Sequence, residues 1–410
     1  MNKLLLFFLL LIFAGCGKTK NKTIVNESES FAVESVFLGK NGVLITDVTK
    51  EYPKSERINI QDIADVEYIP LETKKDFLCS SGGTISYIDD SIIIYINRRE
   101  GDILIFDREG KAKQKINKKG QSGKEYGFLN SLCYDKEKNE FYVNDMMTQK
   151  IVVYDVEGNY KRSFRHLPES TYNPIYLFND QYLLCYNNRI QGFDKEMNPY
   201  KIVSKQTGEL IKELDIPFSK RISSTIYYRE GDFGGKIAAK PYPEPIIKNG
   251  DTWVLNEIST DTIYLLSADL KLTPLMVQTP SVQSMGESPK YLSFVMDSYN
   301  YQFMFIQKKE LDIKTLTGFP TTAIMFDKKN KKVLEQNFYD VNRPEKVYEF
   351  YLENTNKMAK DNQYYGEYPA FRLKKYLEKG ELKGRLKEIA EKIEEDDNNV
   401  LMIIKFKKTF

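Results

Sequence analysis

An all-β fold, and within it a six-bladed β-propeller, is predicted by three observations. Apolar runs that end in Asp, followed by two residues and a Gly, recur along the chain. The units repeat at close to 50 residues. Aromatic residues make up 13% of the 410, with 28 Tyr and 24 Phe. Tyr and Phe favour pleated, half-buried surfaces, and several short strands per unit at this period is the pattern of a propeller blade. A solenoid repeats more regularly, and a doubly wound fold alternates strands with helices.

Before the repeats, residues 1–16 read MNKLLLFFLLLIFAGC. Lys3, an apolar run from Leu4 to Phe13 and the small pair Ala14-Gly15 form a signal peptide over residues 1–15. The run is shorter than the ~20 residues that span a bilayer. A cysteine directly after such a leader resembles the bacterial lipobox, with Phe13 where an aliphatic residue is usual, so Cys16 is the expected lipidation site. Residues 16–35, which begin polar (GKTKNKTIVNESES), read as a lipidated tether. Residues 36–410 are expected to form the propeller, starting with short strands in VFLGKNGVLITDV and ERINI.

Two units define the blade most sharply. Ile103 to Asp107 is followed by Arg-Glu-Gly and KAKQKI; Ile151 to Asp155 is followed by Val-Glu-Gly and NYKRSF. Each reads as strand, tight turn, strand. Looser copies are KIVSKQTGELIKEL (201–214), TIYLLSADLKLTPL (262–275) and TAIMFDKKNKKVLEQ (322–336), and VLMIIKFKK (400–408) supplies one more apolar strand. Six anchors predict six blades. The last unit lacks an outer strand, and Asp65 to Glu72 is spare at the start, so these N- and C-terminal strands are expected to pair and close the ring. Between the last two anchors, RPEKVYEFYLENTNKMAKDN and YPAFRLKKYLEKGELKGRLKEIAEKIEEDD carry helical spacing. Pro344 stands at a helix start and Leu382, Leu386, Ile389 and Ile393 form an apolar stripe, which predicts a helical insertion over 341–396.

Residues 119–164, KGQSGKEYGFLNSLCYDKEKNEFYVNDMMTQKIVVYDVEGNYKRSF, resemble a blade of a family of six-bladed β-propeller lipoproteins of Bacteroidota, with NHL-like blades. DVEYIPLET (65–73) is similar to that family's opening strand and NNVLMIIKFK (398–407) to its closing one. The resemblance covers most of 60–410 and departs at Ser-Gly-Lys of GQSGKEY, where Gly-Pro is frequent. It implies a secreted, lipid-anchored propeller and no catalytic residues. Gly-Lys-Thr-Lys after Cys16 lacks the acidic stretch that resembles a surface-export signal in Bacteroidota, which points to the periplasmic side of the outer membrane.

Composition narrows the function classes. The formal net charge is +2, from 60 basic and 58 acidic residues, so no global field draws in nucleic acid. His166, the single histidine, excludes multi-histidine metal sites and, flanked by Arg165 in SFRHLPES, reads as a surface residue. Cys79, Cys133 and Cys185 are too dispersed for a metal site; they read as buried thiols, with one disulfide among them the alternative. GQSGKE lacks the spacing of a phosphate loop. Arg98, Arg99, Lys118 and Lys119 read as a solvated face.

Candidate ligand-binding residues are the polar pairs that follow second strands in three successive units: Asn144 and Asp145, Asn187 and Asn188, Asn256 and Glu257. On one face they would ring the channel with oxygens suited to Ca²⁺ or to sugar hydroxyls. As turn openers they would be structural. Two functions follow: a lipid-anchored module binding a ligand, protein or glycan, with no cofactor, or a metal-assisted hydrolase or lyase acting on a glycan or lactone.

Overall fold

The computed structural model describes residues 42–189, 198–230, 235–239, 243–315, 317–350 and 362–408. The expected leader, Cys16 and the tether lie outside them. Among the described residues no helix is long and apolar enough to cross a membrane.

The chain forms an all-β propeller of seven blades, not six. Blade one comprises Thr84–Ile88, Ile92–Asn97, Asp102–Asp107 and Ala112–Asn117, and blade two Ser131–Asp135, Glu140–Asp145, Lys150–Asp155 and Tyr160–Arg165. Blade three runs from Tyr172–Leu177 to Leu210–Leu214, blade four from Ile246–Asn249 to Leu272–Thr279, and blade five from Lys290–Asp297 to Lys332–Glu335. Each is an antiparallel meander whose first strand lies innermost. Blade seven combines Gln363–Tyr368, Val400–Phe406 and the N-terminal strand Ala64–Pro70. Ala64 pairs with Phe406 and Pro70 with Val400, so the two ends of the chain close the ring.

The blade missing from the sequence reading is the sixth: Phe338–Asp340, Arg343–Tyr348 and Ile58–Asn59. Its strands are short, its turn has no Asp-x-x-Gly, and one strand comes from nearly 280 residues upstream. Pro344, expected at a helix start, lies on the edge strand of this sheet, where its missing N–H costs no ladder bond. Among the described residues of this region, helix is confined to Ala370–Glu378 and Gly384–Ala390. Leu382, Leu386, Ile389 and Ile393 are all buried there, so the apolar stripe was read correctly and its N-terminal limit was not. Much of RPEKVYEFYLENTNKMAKDN, residues 351–361, falls outside the described residues.

The repeated turn has a direct physical cause. Asp107 accepts from the Lys111 amide at 2.8 Å while Gly110 donates to the Asp107 carbonyl. Gly110 takes φ +83°, and a Cβ there would lie 2.4 Å from the Pro70 carbonyl oxygen. Asp155 and Gly158 repeat the arrangement against Ile116 of blade one, and Gly208 packs against Phe164 of blade two. Gly thus serves both the left-handed turn and close approach to the preceding blade's outer strand. Apolar clusters fill the spaces between blades, and the largest joins blades five, six and seven around Phe303, Phe338, Phe350 and Phe406.

Before joining blade seven, the N-terminal segment crosses three blades. Leu44–Asp47 adds a parallel fifth strand outside blade four, Lys54 bridges to Glu335 of blade five, and Ile58–Asn59 joins blade six.

Candidate functional site

Strand pairing brings the start of each inner strand beside the end of the second strand. Thr84 pairs with Ile96, Ser131 with Asn144 and Tyr172 with Asn187. One end of the propeller therefore carries all the polar pairs nominated from sequence. They sit at equivalent places but do not converge on a cavity.

Asn144 is fully buried. Its Nδ2 donates to the Tyr172 carbonyl of blade three at 2.9 Å, and its Oδ1 lies 2.9 Å from His166 Nε2. Asp145 accepts from the Gly127, Met147 and Thr148 amides and from the Thr148 hydroxyl. Asn187 Oδ1 accepts from the Thr171 and Arg189 amides, while its buried Nδ2 has no partner. Asn188 is half-buried and donates its amide to the Thr171 carbonyl. Asn256 donates to the Glu244 carbonyl and accepts from the Phe294 amide of blade five. Glu257 accepts from the Tyr186 hydroxyl of blade three at 2.9 Å and from Ser259. These groups satisfy buried backbone and tie neighbouring blades together.

His166 is a core residue, not the surface residue expected. Tyr172 donates its amide to Nδ1 at 3.2 Å, which places the ring proton on Nε2, facing Asn144. Burial pushes its pKa down to about 4, against a smaller opposing pull from Asp145. The Arg flank misled the sequence reading: Phe164 and His166 alternate inward while Arg165 points out.

Cys79, Cys133 and Cys185 are free thiols. Burial pushes the Cys185 pKa well above the ordinary thiol range, which makes it inert. Among the described residues no group of three or more His, Cys, Asp or Glu is placed to hold a metal ion. GQSGKE forms a turn in which Glu125 accepts from the Ser122 amide at 2.9 Å.

Among the described residues, two cavities bear on a ligand site. One, of about 60 Å³, is walled by the inner strands of blades one to three (Thr84 to Ser86, Ser131 to Tyr134, Pro174 to Leu177), with Ile96, Arg98 and Trp253. The other, of about 160 Å³, lies where blade seven meets blade one. Much of its charged lining is engaged in ion pairs: Arg108 with Glu67 at 2.6 Å, Asp65 with Lys407 at 3.0 Å and Asp89 with Lys136 at 2.6 Å. The first cavity is the better ligand site, since it is mostly apolar with one unpaired cation, Arg98, whose buried Nε has no hydrogen-bond partner.

Asn97 and Arg98 are blade one's version of the nominated pairs. IIIYIN-Arg carries the same apolar run ending in Asn as FYVND, a signal the sequence reading passed over. Asn97 holds the Leu78 carbonyl and the Ser80 amide. Trp253 and the inner-strand residues gave no such signal, because facing a channel leaves no mark on strand periodicity.

A family model described as a domain of unknown function (DUF4934) matches residues 43–405, and the chain belongs to that family. No curated protein matches the chain. A Bacteroides fragilis protein named as an exported one is 17% identical, with a TM-score of 0.64 over 89% of this chain and 100% of that one. A Bacteroides vulgatus member of the duf4221 family is 12% identical, with a TM-score of 0.48 over 84% of this chain and 97% of that one. The first likeness bears on the fold alone.

Proposed function

We propose that this DUF4934 propeller is an extracytoplasmic, lipid-anchored binding or interaction module whose ligand enters the central channel. The observation that carries the reading is the apolar cavity between the inner strands of blades one to three, with Arg98 unpaired on its wall. The leader and Cys16 support export and anchoring, and the name of the B. fragilis relative supports export alone. A lipoprotein cysteine with two or three acyl chains anchors stably where one chain is marginal. On this reading the membrane is one partner and a small molecule, glycan or protein the other, with the anchor in the outer membrane facing the periplasm.

The metal-assisted hydrolase reading needs Asn144, Asp145, Asn187, Asn256 and Glu257 to turn their oxygens on one cavity. None of the five lines the channel cavity, and their oxygens accept from backbone and neighbouring side chains. Nothing observed favours that reading over binding.

The test is a thermal-shift screen of the full chain against small molecules, glycans and peptides, run beside Leu132→Phe, which fills the cavity. A ligand at a hundred times its Kd stabilises by about 2.7 kcal/mol. We expect a shift in the native chain that is lost in the variant; equal shifts in both would place the site elsewhere. For the anchor, Cys16→Ala is expected to move the protein from the membrane to the soluble fraction, and retention in the membrane fraction would refute lipidation at Cys16.

A further inference from the structure

We infer that the channel cavity takes a short-chain aliphatic monocarboxylate, with the carboxylate held by Arg98; this rests on the channel-site reading above. Arg108, Lys136, Arg162 and Lys205 of the first three blades each face a carboxylate. Arg98 does not. Arg98 lines the cavity, its Nε is buried and unpartnered, and no ion pair or hydrogen bond holds its side chain among the described residues. A buried donor left unpaired costs free energy. A bound carboxylate matches the planar fork of a guanidinium and supplies the charge partner that Arg98 lacks.

The adjacent protein carboxylate does not fill this role. Glu367 accepts from the Ile85 amide at 3.4 Å and from Asn399 Nδ2 at 2.7 Å. The rest of the wall selects an apolar body: Ile85, Leu132, Ile175 and Trp253 face it. Size narrows the class further. A dry cavity of about 150 Å³ admits benzene, so about 60 Å³ admits an aliphatic tail of a few carbons and excludes a ring.

Trp253 is the only tryptophan and walls the cavity, so its emission reports occupancy. The full chain would be titrated with butyrate, butyramide, butyl phosphate and benzoate. Butyrate is expected to give a saturable change. Butyramide, its neutral isostere, and butyrate on Arg98→Gln should each bind about ten- to a hundredfold more weakly, with Arg98→Lys intermediate. Butyramide binding should be indifferent to Arg98→Gln. Equal binding of butyrate and butyramide, both unmoved by Arg98→Gln, would overturn the carboxylate assignment and leave the channel site standing. Tighter binding of butyl phosphate or of benzoate would overturn the headgroup or the size limit. No saturable change with any probe would overturn the ligand class. The channel reading itself falls only if the Leu132→Phe screen shows ligand shifts equal to those of the native chain.

Discussion

Blades one to three and blades four to seven solve the same problem in different ways. On the first side each blade has four strands and protects its own outer edge. The outer strands read AKQKIN, YKRSFR and LIKEL, and their Lys and Arg discourage pairing with another chain. The outer strand of blade four, LTPLMVQT, has no charge, and it is the one covered by Leu44–Asp47. The same N-terminal segment continues across blades five and six. The clamps differ too. Blades two and three are joined by Lys205 with Asp135 and by Asn144, which reaches both Tyr172 and His166. Blades five to seven share an aromatic cluster in which Phe303 lies 4.6 Å from Phe350 and 5.3 Å from Phe406. A strand that carries charge can stand alone at an edge; one that does not needs a partner from elsewhere in the chain.

The largest expected effect comes from breaking the covered side. Removing residues 44–55 exposes the blade four edge and strips Leu44 and Val48, both almost fully buried, from the core. Each side chain contributes about 1.5–3 kcal/mol, so urea denaturation is expected to show a loss of about 3–6 kcal/mol. Light scattering should show concentration-dependent association. An unchanged midpoint would mean that the segment only lies on the surface.

Acid should act first on the other side. The unfolded imidazole of His166 protonates near its ordinary 6.5 and the folded one only at about 4. Between those values the unfolded chain binds more protons, so stability falls as pH drops through that window and is full above it. The loss is on the order of 3 kcal/mol by pH 4. Comparing unfolding midpoints at pH 7 and pH 4.5 for the native chain and His166→Gln checks this. The variant should lose much of the difference, and an identical pH response in both would remove His166 as its source.

What the sequence disclosed follows the same division. Asp107-Arg-Glu-Gly110 and Asp155-Val-Glu-Gly158 are local devices, complete within a few residues, so blades one and two were legible. The closing pair 64–70 and 400–406 was legible because one unit lacked a strand and another had a spare. Blade six was not, because Ile58–Asn59 and Phe338–Asp340 are brought together only by the fold. The polar pairs were located correctly at second-strand ends. Their partners, such as Tyr172 for Asn144 and Phe294 for Asn256, lie on the next blade and cannot be read from spacing. Arg98 was read as solvated because a small basic cluster in a chain of near-zero net charge usually forms a solvated face, whereas Arg98 is half-buried and lines the cavity.

The central claim is that second-strand asparagines hold blades together while the channel wall does the recognising. Urea denaturation of Asn144→Ala tests it most directly. Leaving the Tyr172 carbonyl and the His166 Nε2 proton without their partner is expected to cost about 1–3 kcal/mol. A ligand-binding residue kept for function at the expense of stability would behave otherwise: an Asn144→Ala chain as stable as the native one, or more so, would contradict the account.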